Sequence, residues 1–290
     1  MTLLVFGTTG QLAVELRRRE PDARYLGRAE AELMHPDACA DRIREIAPSA
    51  VINAAAWTAV DAAEDNREAA HQVNAKAPGA MARACKALDI PMVHVSTDYV
   101  FDGAGTAPRA PSDPTGPLGV YGATKLAGEI EIASAGGTYA ILRTSWVFSA
   151  HGQNFVKSML RLAKTHDRLS IVADQTGGPT PAADLAAACL KAFQVLMSDN
   201  SATGTYHFAG QPAVSWAGFA RDVFRQSGLE IDVRDIPSSD YPTPAPRPLN
   251  SRLDCSATEA VFGIKQPDWR VGLRDVLAEL AAKGTSDDNA

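Results

Sequence analysis

Short apolar runs alternate with stretches of helical periodicity along the first half of the chain. That alternation predicts a parallel sheet whose strands are covered on both faces. Runs at 3–6, 24–26, 50–53, 92–96 and 140–144 predict strands, and helical spacing over 11–19, 37–46, 67–88 and 121–132 predicts the helices between them. Pro78 falls inside the third helix, where its ring and missing amide predict a kink or a restart. Beyond residue 147 the alternation loosens. Helices are predicted at 154–164, 184–197 and 216–226, short strands at 169–172 and 205–208, and a last amphipathic helix at 270–282. Five prolines within 235–248 predict a long irregular loop near a ligand mouth, and 284–290 a frayed tail. The pattern as a whole predicts an α/β fold: a Rossmann-type doubly wound parallel sheet with a smaller C-terminal substrate-binding lobe. The nucleotide-binding part is expected over 1–150, with later segments near 181–225 returning to it, and the lobe mainly over 151–290.

Composition narrows the function classes. A formal net charge of −6 and the lack of any long basic run argue against a nucleic-acid partner. Arg17-Arg18-Arg19 is the densest basic cluster and reads as a solvated helix end. Cys39, Cys85, Cys189 and Cys255 lie far apart, with neither disulfide-framework nor zinc-ligand spacing. The first residues run straight into a strand, and no apolar run approaches the ~18 residues of a membrane span, so a cytoplasmic protein is expected. The six histidines show no ligand spacing and no metal is assigned to them. A serine-hydrolase elbow is also missing.

Chemistry gathers at the ends of the predicted strands. Gly7-Thr8-Thr9-Gly10-Gln11-Leu12-Ala13 follows the first strand and opens a helix, so glycines let the backbone approach a pyrophosphate and helix amides face its charge. The second strand runs into Gly27-Arg28, with no carboxylate before Glu30 and Glu32. A basic residue there accepts a 2′-phosphate, which favours NADPH over NADH and leaves NADH possible. Asn53-Ala54-Ala55-Ala56-Trp57 ends the third strand in small residues that a cofactor can pass closely. Ser96-Thr97-Asp98-Tyr99 follows the fourth, at the sheet edge where open α/β folds bind ligands. Tyr121 and Lys125 stand four residues apart, hence on one helix face. A free phenol ionises near ~10, so a neighbouring ammonium is expected to draw it toward neutrality.

Taken together, these motifs resemble the extended short-chain dehydrogenase/reductases, and within them the enzymes that act on nucleotide-linked sugars. The likeness runs from Leu3 to about Leu277 and includes Trp57-Thr-Ala-Val-Asp61, Leu142-Arg-Thr-Ser-Trp-Val-Phe148, Asp174-Gln-Thr-Gly-Gly-Pro-Thr180 and Arg247-Pro-Leu-Asn-Ser251. The resemblance implies a catalytic set of Thr97, Tyr121 and Lys125. It implies that Gly7, Gly10, Gln11 and Leu12 line the pyrophosphate turn, Glu32 and Leu33 the adenine side, and Ala55, Ala56 and Trp57 the cofactor's flank. Thr97, Asp98 and Trp146 would hold the sugar, while Asn154 and Arg247 would face the nucleotide diphosphate. The implied substrate is a dTDP-linked 4-keto-6-deoxy sugar, and the implied assembly a monomer or homodimer. Three positions depart from the family pattern: Ala13 replaces a glycine, and Trp57 a common histidine. Some relatives dimerise through a metal held by glutamates; Glu15 matches one such position but Ala183 stands where another is expected, so Mg2+ is not carried over.

Two rival readings follow from the same motifs. A sister reductase acting on another nucleotide keto-sugar, or an epimerase or dehydratase of the superfamily, shares the fold, but a dehydratase places a second acidic residue beyond the one next to the threonine, and Asp98-Tyr99 supplies only the first. A non-catalytic regulatory subunit on this fold would not need Thr97, Tyr121, Lys125 and Arg247 intact.

Overall fold

A computed structural model describes residues 2–287. In chain order the first part comprises β1 (Leu3–Phe6), α1 (Gln11–Arg19), β2 (Arg24–Leu26), α2 (Pro36–Ile46), β3 (Ala50–Asn53), α3 (Val60–Asp65), α4 (Arg67–His71), α5 (Ala77–Ala87), β4 (Met92–Thr97), α6 (Val120–Ala135) and β5 (Tyr139–Thr144). The second part comprises β6 (Val147–Phe148), α7 (Phe155–Leu162), β7 (Arg168–Val172), β8 (Thr176–Gly177), β9 (Thr180–Pro181), α8 (Ala182–Ser198), β10 (Gly204–His207), β11 (Val214–Ser215), α9 (Trp216–Ser227), β12 (Asp232–Ile236), β13 (Asn250–Ser251), α10 (Ser256–Phe262) and α11 (Trp269–Asp287).

Six strands form one parallel sheet in the order β10-β5-β4-β3-β1-β2. The order reverses between β1 and β3, so a crevice opens there at the carboxyl ends of the strands. Strand side chains alternate between two cores, as a period of two requires. Leu3, Val5, Ile52 and Leu142 pack under α1 and α8 with Leu12, Leu16 and Leu185. Leu4, Phe6, Val51 and Ile141 pack under α2, α5 and α6 with Ile43, Met81 and Ile132. A third core, centred on Phe148, Phe219, Phe224 and Trp269, joins α7, α9 and α11 to the two-stranded β12–β7 pair. No helix among the described residues is long and apolar enough to cross a membrane.

Several elements differ from the sequence pattern. The helix expected at 67–88 is broken before Pro78, not at it: a π-helical segment, Gln72–Lys76, separates α4 from α5, and Pro78 sits in the first turn of α5. A proline is tolerated in a first turn. The residues 235–248 are not wholly irregular, because Asp235 and Ile236 finish β12 beside β7. Exposed charges on that edge strand hide its pattern. The expected frayed tail is helical as far as Asp287, and its last three residues lie outside the described ones. Strands β6, β8, β9, β11 and β13 are two residues each, too short to carry any periodicity.

Candidate active site

The crevice at the switch point is a cavity of about 870 Å³. Its floor is the turn between β1 and α1. Gly7 adopts φ +117°, which an L side chain rarely takes, and a Cβ there would lie 3.4 Å from Ala13 Cβ. The alanine that replaces the usual glycine therefore still permits a tight turn. Gly10 caps α1 without any side-chain acceptor, and a Cβ placed on it would meet nothing within 4 Å. The leading amides of α1 and the open space before them fit an anionic pyrophosphate. At the rim, Arg28 is largely solvent-exposed, with its guanidinium 3.8 Å from Glu32. Gln11, Leu12, Glu32, Leu33, Ala55, Ala56 and Trp57 all border the same cavity.

The helix α6 brings Tyr121 and Lys125 to this crevice, and two glycines set how closely it sits. A Cβ on Gly122 would lie 2.1 Å from the Tyr99 carbonyl oxygen, and one on Gly128 would lie 2.1 Å from that of Asn74. Asn74 belongs to the π-helical segment. Its side-chain oxygen accepts from the Trp57 amide at 2.9 Å, and its Nδ2 donates to Thr124 Oγ1 at 3.1 Å. The widened turn thus ties the β3 exit loop to the helix carrying the tyrosine.

Thr97, Asp98, Tyr121, Lys125 and Trp146 all line the cavity. The Thr97 hydroxyl donates to Asp98 Oδ1 at 3.0 Å and accepts from the Tyr99 amide at 3.2 Å. Burial pushes the Tyr121 phenol up to about 12, while a hydrogen bond with Thr97 works the other way. Burial likewise raises Asp98 to about 6, while hydrogen bonds with Ser251 and Thr97 work against that rise. The ammonium expected to draw the phenol down does not do so here. Lys125 is turned into the sheet, where Nζ donates to the Val95 carbonyl at 2.7 Å and lies 3.1 Å from His94 Nε2. Burial lowers that lysine to about 8, and Glu129 opposes the fall. Tyr121 therefore holds its proton at neutral pH, as a proton donor must.

Elsewhere along the cavity wall, Trp146 has φ +51°, a conformation that costs about 1–3 kcal/mol for a non-glycine residue. Stacking on Trp216, with ring centres 3.5 Å apart, offsets that strain. Trp216 also borders the cavity, and sequence reasoning missed it because an aromatic at a helix start carries no special signal. Gly152 and Gln153 were missed too, next to the residue that was named.

Two residues expected to face the nucleotide diphosphate lie off the cavity lining. Asn154 does not border the cavity: its Oδ1 caps α7 by accepting from the Lys157 amide at 3.2 Å, and its Nδ2 donates to Ser149 O and Gln11 Oε1. A side chain so engaged has little left for a phosphate. Arg247 is likewise outside the lining, pairing with Asp61 Oδ2 at 2.8 Å and donating to Ala245 O. The proline-rich 235–248 stretch contributes no residue to the cavity lining, although the charge of Arg247 reaches Tyr99, which does line it.

Away from the cavity, Arg18 is not merely solvated. Its guanidinium donates to both Glu279 oxygens at 2.8 and 2.5 Å and lies 3.4 Å from Glu15. Glu15, His151 and Glu279 bring one donor atom each within 4.8 Å, a grouping that could hold a metal ion. The carboxylate charge is already met by Arg18 and by Lys283, 2.7 Å from Glu279. Arg18 holds the Glu279 carboxyl down at about 2. The four thiols are free and buried; burial raises Cys39 to about 11 and the other three to about 12.

A doubly wound sheet with a glycine turn at its switch point and a Tyr–Lys helix at the same edge defines an NAD(P)-dependent oxidoreductase of the short-chain dehydrogenase/reductase type. The chain belongs to the family described as RmlD substrate binding domain, whose model matches residues 1–282. It is 45% identical to a dTDP-4-dehydrorhamnose reductase of Sinorhizobium fredii, over 98% of this chain and 99% of that protein. A crystal structure of a dTDP-4-dehydrorhamnose reductase from Clostridium acetobutylicum superimposes with a TM-score of 0.90 at 34% identity, covering 97% of this chain and all of that one. The Bacillus anthracis dTDP-4-dehydrorhamnose reductase, solved in complex with NADP, gives 0.88 at 31% identity over 96% and 99%.

Proposed function

We propose that the protein reduces dTDP-4-dehydro-β-L-rhamnose to dTDP-L-rhamnose with NADPH, the last step of dTDP-L-rhamnose synthesis. One observation carries the reading: a single cavity is bordered by the Gly7–Gly10 turn, by the Thr97–Tyr121–Lys125 group and by Trp146. NADPH, when bound, supplies the hydride. Gly7, Gly10, Gln11 and Leu12 would hold its pyrophosphate, Arg28 its 2′-phosphate, and Glu32 and Leu33 its adenine side. Tyr121 keeps its proton until the C4 oxygen of the sugar gains charge, then donates it as general acid. Thr97 turns its hydroxyl toward that oxygen and so orients the carbonyl. Lys125, once protonated, steadies the phenolate that remains. Asp98 and Trp146 position the sugar, the indole giving a flat apolar wall. The buried, weakly acidic thiols suit a reducing compartment such as the cytoplasm.

The test is a coupled assay. dTDP-glucose is converted by the upstream dehydratase and epimerase, and the purified chain is then added with NADPH and no partner. Stoichiometric NADPH oxidation with dTDP-L-rhamnose as product is expected. Turnover without net NADPH loss would instead indicate an epimerase, and no turnover a regulatory subunit.

A further inference from the structure

His94 lies in the middle of β4, fully enclosed, and touches both Lys125 and Asn53. The hydrogen bonds around it leave little choice of proton positions. Asn53 Oδ1 accepts from the Ala55 amide at 3.1 Å, which fixes the orientation of its side-chain amide. Its Nδ2 therefore faces His94 Nδ1, at 3.1 Å, as a donor. A neutral imidazole that accepts at Nδ1 carries its proton on Nε2. That N–H points at Lys125 Nζ, 3.1 Å away. An ammonium there would set N–H against N–H, whereas a neutral amine accepts from His94 and still donates to Val95 O at 2.7 Å. Turning the Asn53 amide over only moves the clash to the Ala55 amide.

We propose that His94 is a positioning residue for Lys125: held in one tautomer by Asn53, it presents an N–H to the lysine amine and so governs where on the pH scale that amine takes up its proton. The inference rests on the reading of Tyr121 and Lys125 as the catalytic pair. Burial lowers Lys125 and, with the lysine beside it, strongly disfavours charging of His94, so this pocket resists a second positive charge. The other ionisable groups around this pair are Tyr121 and Glu129 on α6, Asp98 after β4 and Arg143 on β5. Arg143 is paired with Glu129, with Nη2 2.6 Å from Oε2. Ser96 also donates to Glu129, at 2.5 Å. His94 is thus the neighbour through which the lysine can be tuned without breaking that buried ion pair. A histidine in a covered parallel strand is the one sequence signal for this arrangement, and it reads as packing until its two neighbours are seen.

Magnetic resonance on the intact chain tests the idea. Lysine labelled at Cε reports the titration of Lys125, assigned by its loss in Lys125→Arg, and labelled histidine reports the His94 tautomer. The expected wild-type result is a proton on Nε2 of His94 throughout the neutral range. In His94→Gln the new carbonyl can accept from an ammonium, so Lys125 should titrate at least about one pH unit higher, roughly tenfold in proton affinity. The alkaline limb of kcat/KM for keto-sugar reduction should move upward with it, while KM for NADPH changes less. A purely structural histidine would lower stability and leave the titration where it was. A proton on Nδ1 in the wild type, or an unmoved Lys125 titration in His94→Gln, overturns the proposal. Should His94→Gln fail to fold, the wild-type tautomer alone decides. The resonance measurements need no turnover, so a wild-type chain inactive on the keto-sugar would overturn the proposed function separately.

Discussion

Replacing Gly122 by alanine puts a methyl group where the packing of α6 leaves no room for one. The new Cβ would stand 2.1 Å from the Tyr99 carbonyl oxygen, 2.9 Å from its carbon and 3.0 Å from Pro117 Cβ. Ordinary contact needs a separation near ~3.5 Å, so either α6 or the Tyr99 peptide must retreat by more than about 1 Å. Neither can move alone. The Tyr99 amide donates to Thr97 Oγ1, and Tyr121, beside the glycine in sequence, packs edge-on against the Tyr99 ring at 5.5 Å. Overpacking of this kind costs about 1–3 kcal/mol, a fall of several degrees in Tm for a chain of this size. A displacement of about 1 Å between the proton donor and the carbonyl-orienting hydroxyl costs roughly 10²-fold in rate. Thermal unfolding by circular dichroism and NADPH oxidation in the coupled assay measure the two effects on one preparation. The rate should fall far more than the folded fraction at assay temperature. A Gly122→Ala chain with unchanged Tm and a kcat within about twofold of wild type would refute the claim that this close approach sets the site.

Other expectations follow from the same geometry. Tyr121→Phe keeps the ring and loses the proton donor, so kcat should drop about 10²–10⁴-fold with NADPH affinity near wild type; titrating cofactor fluorescence beside turnover checks both. Arg28→Ala should raise KM for NADPH by roughly tenfold and leave KM for NADH almost unchanged, and equal effects would remove the 2′-phosphate argument. His207 is buried with its Nδ1–H donating to Arg109 O, and burial, with Arg143 nearby, lowers it to about 3. Its folded value lies below the unfolded one, near ~6.5, so its contribution to stability is complete above that value and is lost as pH falls toward 3. Denaturant midpoints measured from neutral pH downward should therefore fall less steeply in His207→Phe than in wild type.

Much of the architecture is legible in the chain because parallel strands buried on both faces are written as continuous apolar runs. Leu3–Phe6 and Ala50–Asn53 are such runs, and their boundaries in the structure match the pattern. The elements that escape it are short or polar. Two-residue strands such as β8 have no period, and β12 carries charges on an exposed edge. Cavity-lining residues are legible where they sit in local motifs, as in the Gly7–Gly10 turn and the Tyr121–Lys125 pair. They are not legible where distant segments supply them, as with Trp216 and Leu185. Asn154 and Arg247 show the converse. Their residue types suit a phosphate, yet a helix cap and an ion pair with Asp61 occupy them.

The chain by itself determined the sheet, its crevice and the pairing of Tyr121 with Lys125 on one helix face, since these follow from local periodicity and from where glycines interrupt it. Only the tertiary structure decided how those groups are charged. Burial keeps the phenol protonated and lowers the lysine, whose Nζ is held between the Val95 carbonyl and His94 Nε2. Ionisation depends on which dipoles surround a group in three dimensions, and β3, β4 and α6, from which Asn53, His94 and Lys125 come, meet only once the chain has folded.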